Sequence, residues 1–175
     1  SSATPFLLQS LRAASHEVIQ HGACLGVGLA SMGTADAETY EDLKGVLYTD
    51  NAVAGEAAGI GIGLLLAGRM ARAGDAPSSG GDADDAASAL CASASSELLA
   101  YAHDTSHEKI SRGIAIGLAL MCFGAEEGAD TLIATLCNDT SAVLRYGGML
   151  ALGLAYRGTG SNAAVAKLLH HAVSD

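Results

Sequence analysis

Glycine clusters, spaced histidines and paired carboxylates are the residues here whose types and spacing could do chemistry. The densest cluster is HGACLGVGLASMG, residues 21–33, with four glycines in an apolar run. Backbone N–H groups in such a run can cradle phosphate. A dinucleotide fingerprint needs G-x-G-x-x-G, however, and a P-loop needs G-x-x-x-x-G-K followed by Ser or Thr. After Gly26 and Gly28 come Leu29, Ala30, Ser31 and Met32 before Gly33, and no lysine follows, so neither template fits. His103 and His107 stand four apart, a metal-ligand spacing on a helix. The Asp104-Thr105-Ser106 between them is turn and cap chemistry, which places them on two helices. His170 and His171 are adjacent and cannot share a helix face. Glu126-Glu127 and Asp84-Asp85 fall in polar stretches and read as solvated charge. No G-x-S-x-G elbow is present. The residues therefore predict no catalytic, cofactor-binding or metal-binding set, no small-molecule substrate and no enzymatic activity.

Composition narrows the partners. The formal charge of −10 argues against nucleic acid, whose phosphates are met by Lys and Arg, and equally against an anionic membrane surface. The most apolar run, AAGIGIGLLLAG from Ala57 to Gly68, is shorter than the about 20 residues needed to span a bilayer. SSATPFLLQS at the start lacks the basic and long apolar regions of a signal peptide. Cys24, Cys91, Cys122 and Cys137 form no C-x-x-C pair, and three of them sit in apolar helical patterns, as buried free thiols of a reducing compartment would. Half of the chain is hydrophobic, yet Trp is absent and Gly and Ala dominate, so the core must rely on close backbone approach.

The glycine run is one of four. GACLGVGLASMG starts at Gly22, AAGIGIGLLLAG at Ala57, GIAIGLALMCFG at Gly113 and GGMLALGLAYRG at Gly147. Each opens on a small residue and closes eleven positions on, at Gly33, Gly68, Gly124 and Gly158, as a helix C′ stop would. Seven residues before each opening stand Ser15, Asp50, Ser106 and Thr140, expected helix N-caps. A second, amphipathic helix fits between each closing glycine and the next cap, with Leu43, Val46 and Leu47 in the first such segment. The spacing predicts repeats over about 15–49, 50–105, 106–139 and 140–173, with residues 1–14 as the second helix of a truncated preceding repeat. The long second interval is assigned to a Gly/Ala/Ser/Asp-rich insertion, residues 71–95, expected to be disordered. Glycine inside a helix costs about 1 kcal/mol relative to alanine. Gly22, Gly26, Gly28, Gly59, Gly61, Gly63, Gly113, Gly117 and Gly153 are thus read as packing devices, smooth positions where a neighbouring helix comes close.

Paired Gly/Ala-rich helices at this period resemble the proteasome/cyclosome repeat family. That family includes the two large non-ATPase scaffolds of the 26S proteasome regulatory particle and the largest subunit of the anaphase-promoting complex. QHGACLGVGLASMGTA, LYTDNAVAGEAAGIGIGLLLAG, HEKISRGIAIGLAL and LLHHAVSD carry the resemblance. They are most similar to the proteasomal scaffold that anchors a ubiquitin receptor. The resemblance implies an all-α solenoid of helix-pair repeats, a segment of a closed toroid. It further implies a non-catalytic role in cytoplasm and nucleus, organising ATPases, lid subunits and a ubiquitin receptor. A cyclosome scaffold, the other large proteasome repeat subunit or a free-standing helical-repeat adaptor is the alternative.

Overall fold

The computed structural model describes residues 3–70 and 81–174, and every regular element among them is helical. The α-helices are α1 (Ala3–Ala13), α2 (Glu17–Ala30), α3 (Ala37–Leu47), α4 (Ala52–Leu65), α5 (Gly81–Asp104), α6 (Glu108–Met121), α7 (Asp130–Cys137), α8 (Ala142–Ala155) and α9 (Asn162–Ser174), with a 3-10 turn at Glu126–Ala129 ahead of α7. They form two layers. Helices α2, α4, α6 and α8 stack in one row, each against the next. Helices α1, α3, α5 and α7 make the second layer, each lying chiefly against the first-layer helix that follows it, while α9 lies on α8. Because α4 and α6 have neighbours on both sides, Gly59, Gly61, Ile62, Gly63, Ile114, Gly117 and Leu118 are buried.

Sequence chemistry sets where each first-layer helix stops. The chain closes through the left-handed region at Gly33, Gly68, Gly124 and Gly158, with φ of 68°, 70°, 72° and 73°. An L side chain is strained there and glycine is not. Two of these turns also bond forward to the next unit. Gly33 N–H donates to the Leu64 carbonyl at 3.1 Å, and Gly124 N–H to the Leu154 carbonyl at 3.1 Å.

Helix starts lie one residue later than the expected caps. The cap residues are His16, Asn51, His107 and Ser141, not Ser15, Asp50, Ser106 and Thr140. A cap needs extended backbone, which Asn51 has at φ −83°, ψ 121°; Asp50 sits at φ 54°. Asn51 Oδ1 accepts from the N–H groups of Val53 and Ala54, both at 3.0 Å. At α6 and α8 a side chain two residues ahead shapes the turn instead: Thr105 Oγ1 accepts from His107 N–H, and Asp139 Oδ1 from Ser141 N–H.

Residues 81–95, expected to be disordered, are helical as part of α5; residues 71–80 of that insertion lie outside the described residues. Alanine is the best helix former. Ala87, Cys91, Ala94, Leu98 and Ala102 are buried and recur at helical spacing, giving α5 a narrow apolar stripe along α6. The composition lacks large apolar residues, yet small ones suffice where helices approach closely.

Candidate functional site

The chemistry of this chain lies in how its units meet. Between α4 and α6 the approach is backbone to backbone. A Cβ on Gly59 would stand 2.8 Å from both the Gly113 carbonyl carbon and the Ile114 nitrogen. One on Gly63 would overlap the backbone of Gly117, one on Gly113 that of Glu56, and one on Gly117 that of Gly59. Between α2 and α4, Gly28 faces the Gly61 Cα at 2.7 Å and Gly61 faces the Cys24 carbonyl at 2.8 Å, measured from the same built Cβ. No residue but glycine fits such positions without the helices moving apart.

Three of the nine assigned packing glycines do not work this way. Gly22 and Gly153 would meet nothing within 4 Å, and Gly26 would meet only the flexible Leu7 side chain, at 3.3 Å. Their counterparts in other units, Gly113, Gly61 and Gly63, are pressed by a first-layer helix. On those sides α2 and α8 have none among the described residues. Three glycines that the sequence did not single out are in contact. A Cβ on Gly147 would stand 2.8 Å from Ala115 Cβ, one on Gly148 2.8 Å from Cys137 N and Sγ, and one on Gly55 2.9 Å from Ile110 Cδ1. Gly147 was visible as the start of the fourth run; the other two carried no signal beyond their type.

The second layer is held by long polar side chains. Arg12 of α1 donates to Glu38 at 2.8 Å and to Asp42 at 2.6 Å on α3. Lys44 of α3 pairs with Glu97 of α5 at 2.7 Å, and Tyr40 OH donates to the same carboxylate at 3.4 Å. Tyr48 and Tyr101 meet edge to face, with centroids 4.7 Å apart. Tyr101 OH and Thr105 Oγ1 both donate to Asp50, at 3.0 and 2.8 Å, so the residue expected to cap α4 instead ties the turn after α3 to the end of α5. Those two bonds, Thr105 first, hold the Asp50 carboxyl below its ordinary range, with His107 adding to them. The Lys44 bond lowers Glu97 in the same way. Burial pushes the Tyr101 hydroxyl up to about 12.

The residues first weighed for chemistry are separate. His103 ends α5 and pairs with Asp139 at 3.1 Å, while His107 precedes α6 and lies 3.8 Å from Asp50. Among the described residues no three His, Cys, Asp or Glu side chains converge as metal ligands. The His170 and His171 rings stand on α9 with centroids 5.7 Å apart. Asp84 pairs with Arg69, and Glu126 and Glu127 lie in the 3-10 turn. All four cysteines are free. Burial pushes the thiols of Cys24 and Cys122 up to about 12 and that of Cys91 up to about 11, away from the thiolate form that reacts. No helix of the described residues is long and apolar enough to cross a membrane.

The chain is similar in sequence to known proteins. A family model described as the proteasome/cyclosome repeat matches residues 22–56, from α2 into α4. The chain is 57% identical over 170 residues to the 26S proteasome non-ATPase regulatory subunit 1 homolog B of Arabidopsis thaliana, covering 97% of this chain and 15% of that protein. It is 45% identical over 170 residues to the 26S proteasome non-ATPase regulatory subunit 1 of Drosophila melanogaster, again 97% of this chain and 15% of the relative. It is 41% identical over 172 residues to the 26S proteasome regulatory subunit rpn2 of Schizosaccharomyces pombe, covering 98% and 16%. The chain thus spans about one seventh of the length of the curated relatives it matches.

Proposed function

Because this chain belongs to the proteasome/cyclosome repeat family, we propose that it is a non-catalytic scaffold segment of the 26S proteasome regulatory particle. In this reading it presents surface on which ATPase, lid and ubiquitin-receptor subunits are organised for ubiquitin-dependent degradation, in cytoplasm and nucleus. The observation that supports the proposal most is the likeness, at 57% identity over 97% of the chain, to a protein named as a 26S proteasome non-ATPase regulatory subunit. The geometry supports it. The glycine contacts, the closing turns and the cross-layer bridges all serve stacking, and among the described residues no buried side-chain polar atom is left without a partner. Repeat boundaries near 15–49, 50–105, 106–139 and 140–173 belong to the same proposal.

The test is affinity purification of the tagged protein from its own cells, followed by native electrophoresis and mass spectrometry. Proteasomal ATPases and lid subunits are the expected co-purifying species. Cyclosome subunits in their place, or the protein running free of any complex, would overturn the assignment. A companion version carrying Gly63→Leu and Gly117→Leu should fail to enter assembled particles.

A further inference from the structure

A groove of about 840 Å³ opens between α1 and α3, over the closing end of α2. Leu8 and Arg12 line its α1 side, Ala30 and Thr34 the end of the first-layer helix, and Asp36 and Glu38 its α3 side. Leu8 and Ala30 are half-buried apolar surface, while Asp36 and Glu38 are exposed carboxylates. Arg12 does not neutralise them. Its guanidinium is already matched by Asp42, at 2.6 Å, and reaches one oxygen of Glu38. Asp36 accepts from the Thr39 hydroxyl and N–H on Oδ2, and Glu38 accepts from Arg12 on Oε1. Asp36 Oδ1 and Glu38 Oε2 therefore have no partner among the described residues. The Thr39 hydroxyl bond, with that of the Thr39 N–H, holds the Asp36 carboxyl below its ordinary range, so it is charged at neutral pH.

The next unit shows what complements such a turn. Thr34 follows the closing Gly33 as Arg69 follows the closing Gly68. Arg69 donates through Nε to the Gly33 carbonyl and through Nη1 to Asp84, on the second-layer helix that comes next. Where the turn residue is arginine, the chain supplies its own cation. Where it is Thr34, the carboxylates of the following helix receive none from the turn. We propose that the α1/α3 groove docks an extended segment of a partner protein carrying a lysine or arginine beside a large apolar side chain. The cation meets Asp36 and Glu38, and the apolar group lies on Leu8 and Ala30. Both parts are needed, because an exposed ion pair alone contributes little and the apolar contact supplies the burial. The excess of carboxylate turns away phosphate-bearing partners.

Panning the whole chain against a library of random peptides tests this. Enriched peptides should carry Arg or Lys beside Leu, Ile, Phe or another large apolar residue. Glu38→Lys should weaken the best of them by about tenfold or more, as expected when a charge-assisted bond is lost. Thr34→Arg should do the same by placing a cation there from within the chain, as Arg69 does one unit on. Both positions are exposed, so the fold tolerates the changes. Glu108→Lys, at an equally exposed acid at the start of α6, should leave binding unchanged. No enrichment, enrichment of peptides without a basic residue, or an equal loss with Glu108→Lys would overturn the proposal. So would self-association of the chain that Thr34→Arg abolishes, which would make a second copy the occupant. If Glu38→Lys loses its fold by circular dichroism, Thr34→Arg decides alone.

Discussion

A hydrogen atom is the whole side chain at Gly63 and Gly117, and the α4/α6 approach depends on it. Gly63→Ala or Gly117→Ala should destabilise the chain by about 1–3 kcal/mol or more, the range for overpacking a filled core. The neighbour is backbone and cannot rotate away. Gly45→Ala in α3 is the control: its Cβ would meet nothing within 4 Å, so the change should stabilise by about 0.5–1 kcal/mol. Urea midpoints shifting in the same direction for both would refute the packing account. Asp50 gives a prediction in pH. Its folded-state pKa is depressed, so its contribution is fully present above the unfolded value, about 3.9 for Asp, and fades as pH falls through that value toward the lower folded one. Asp50→Asn should therefore flatten the acid side of the stability profile below about pH 4. Part of the slope should remain, because Glu97 is depressed by Lys44 in the same sense. An acid slope identical to that of the unaltered chain would show that the Thr105 and Tyr101 bonds do not favour the carboxylate.

At the level of single helices, the caps separate sequence from structure. Asn51→Ala removes an acceptor for two α4 N–H groups and a donor to Glu17, and should cost about 1 kcal/mol. Ser106→Ala, at a position that reads equally well as a cap in the sequence, should be within about 0.5 kcal/mol of neutral. Thermal melts of the two variants settle the order, and a larger loss at Ser106 would contradict the capping geometry. The closing ends of the helices were legible because one residue type and one backbone conformation go together: Gly33, Gly68, Gly124 and Gly158 all take positive φ. The opening ends were legible only to within one residue, because at α4 and α8 the next residue, Asn51 or Ser141, is as good a cap by type, and at α2 and α6 a histidine that the type preference does not mark takes the position. Asp50 takes positive φ without being glycine, and its carboxylate answers a demand from Thr105 that is distant in sequence. The α5 helix was missed over 81–95 because the composition test weighs large apolar residues. Ala87, Cys91 and Ala94 are buried by proximity to α6 and not by size.

Across the whole molecule, stability accumulates from neighbour to neighbour, so it should be greatest where a helix has neighbours on both sides. Amide hydrogen exchange should be slowest in α4 and α6 and fastest in α1 and α9. Uniform protection along the chain would mean that the array opens as one unit and not as a graded stack. The period and the two-layer arrangement could be read from the four glycine runs. Which face of each run meets a partner could not, since Gly22 and Gly113 occupy the same place in their runs and only Gly113 is pressed by a neighbour. The cross-layer pairs Lys44–Glu97 and Tyr48–Tyr101 were equally hidden, as nothing local in a sequence marks two side chains more than fifty residues apart as partners. The glycine contacts also bear on how such an array can change over time. At Gly59 against Gly113, or Gly63 against Gly117, every possible replacement adds atoms and none removes them. The facing residue has no side chain to give up in return, so a compensating change on the partner helix does not exist. Drift at these joints is thus one-sided, and the array can vary freely on its wet faces while the spacing between α4 and α6 has nowhere to go.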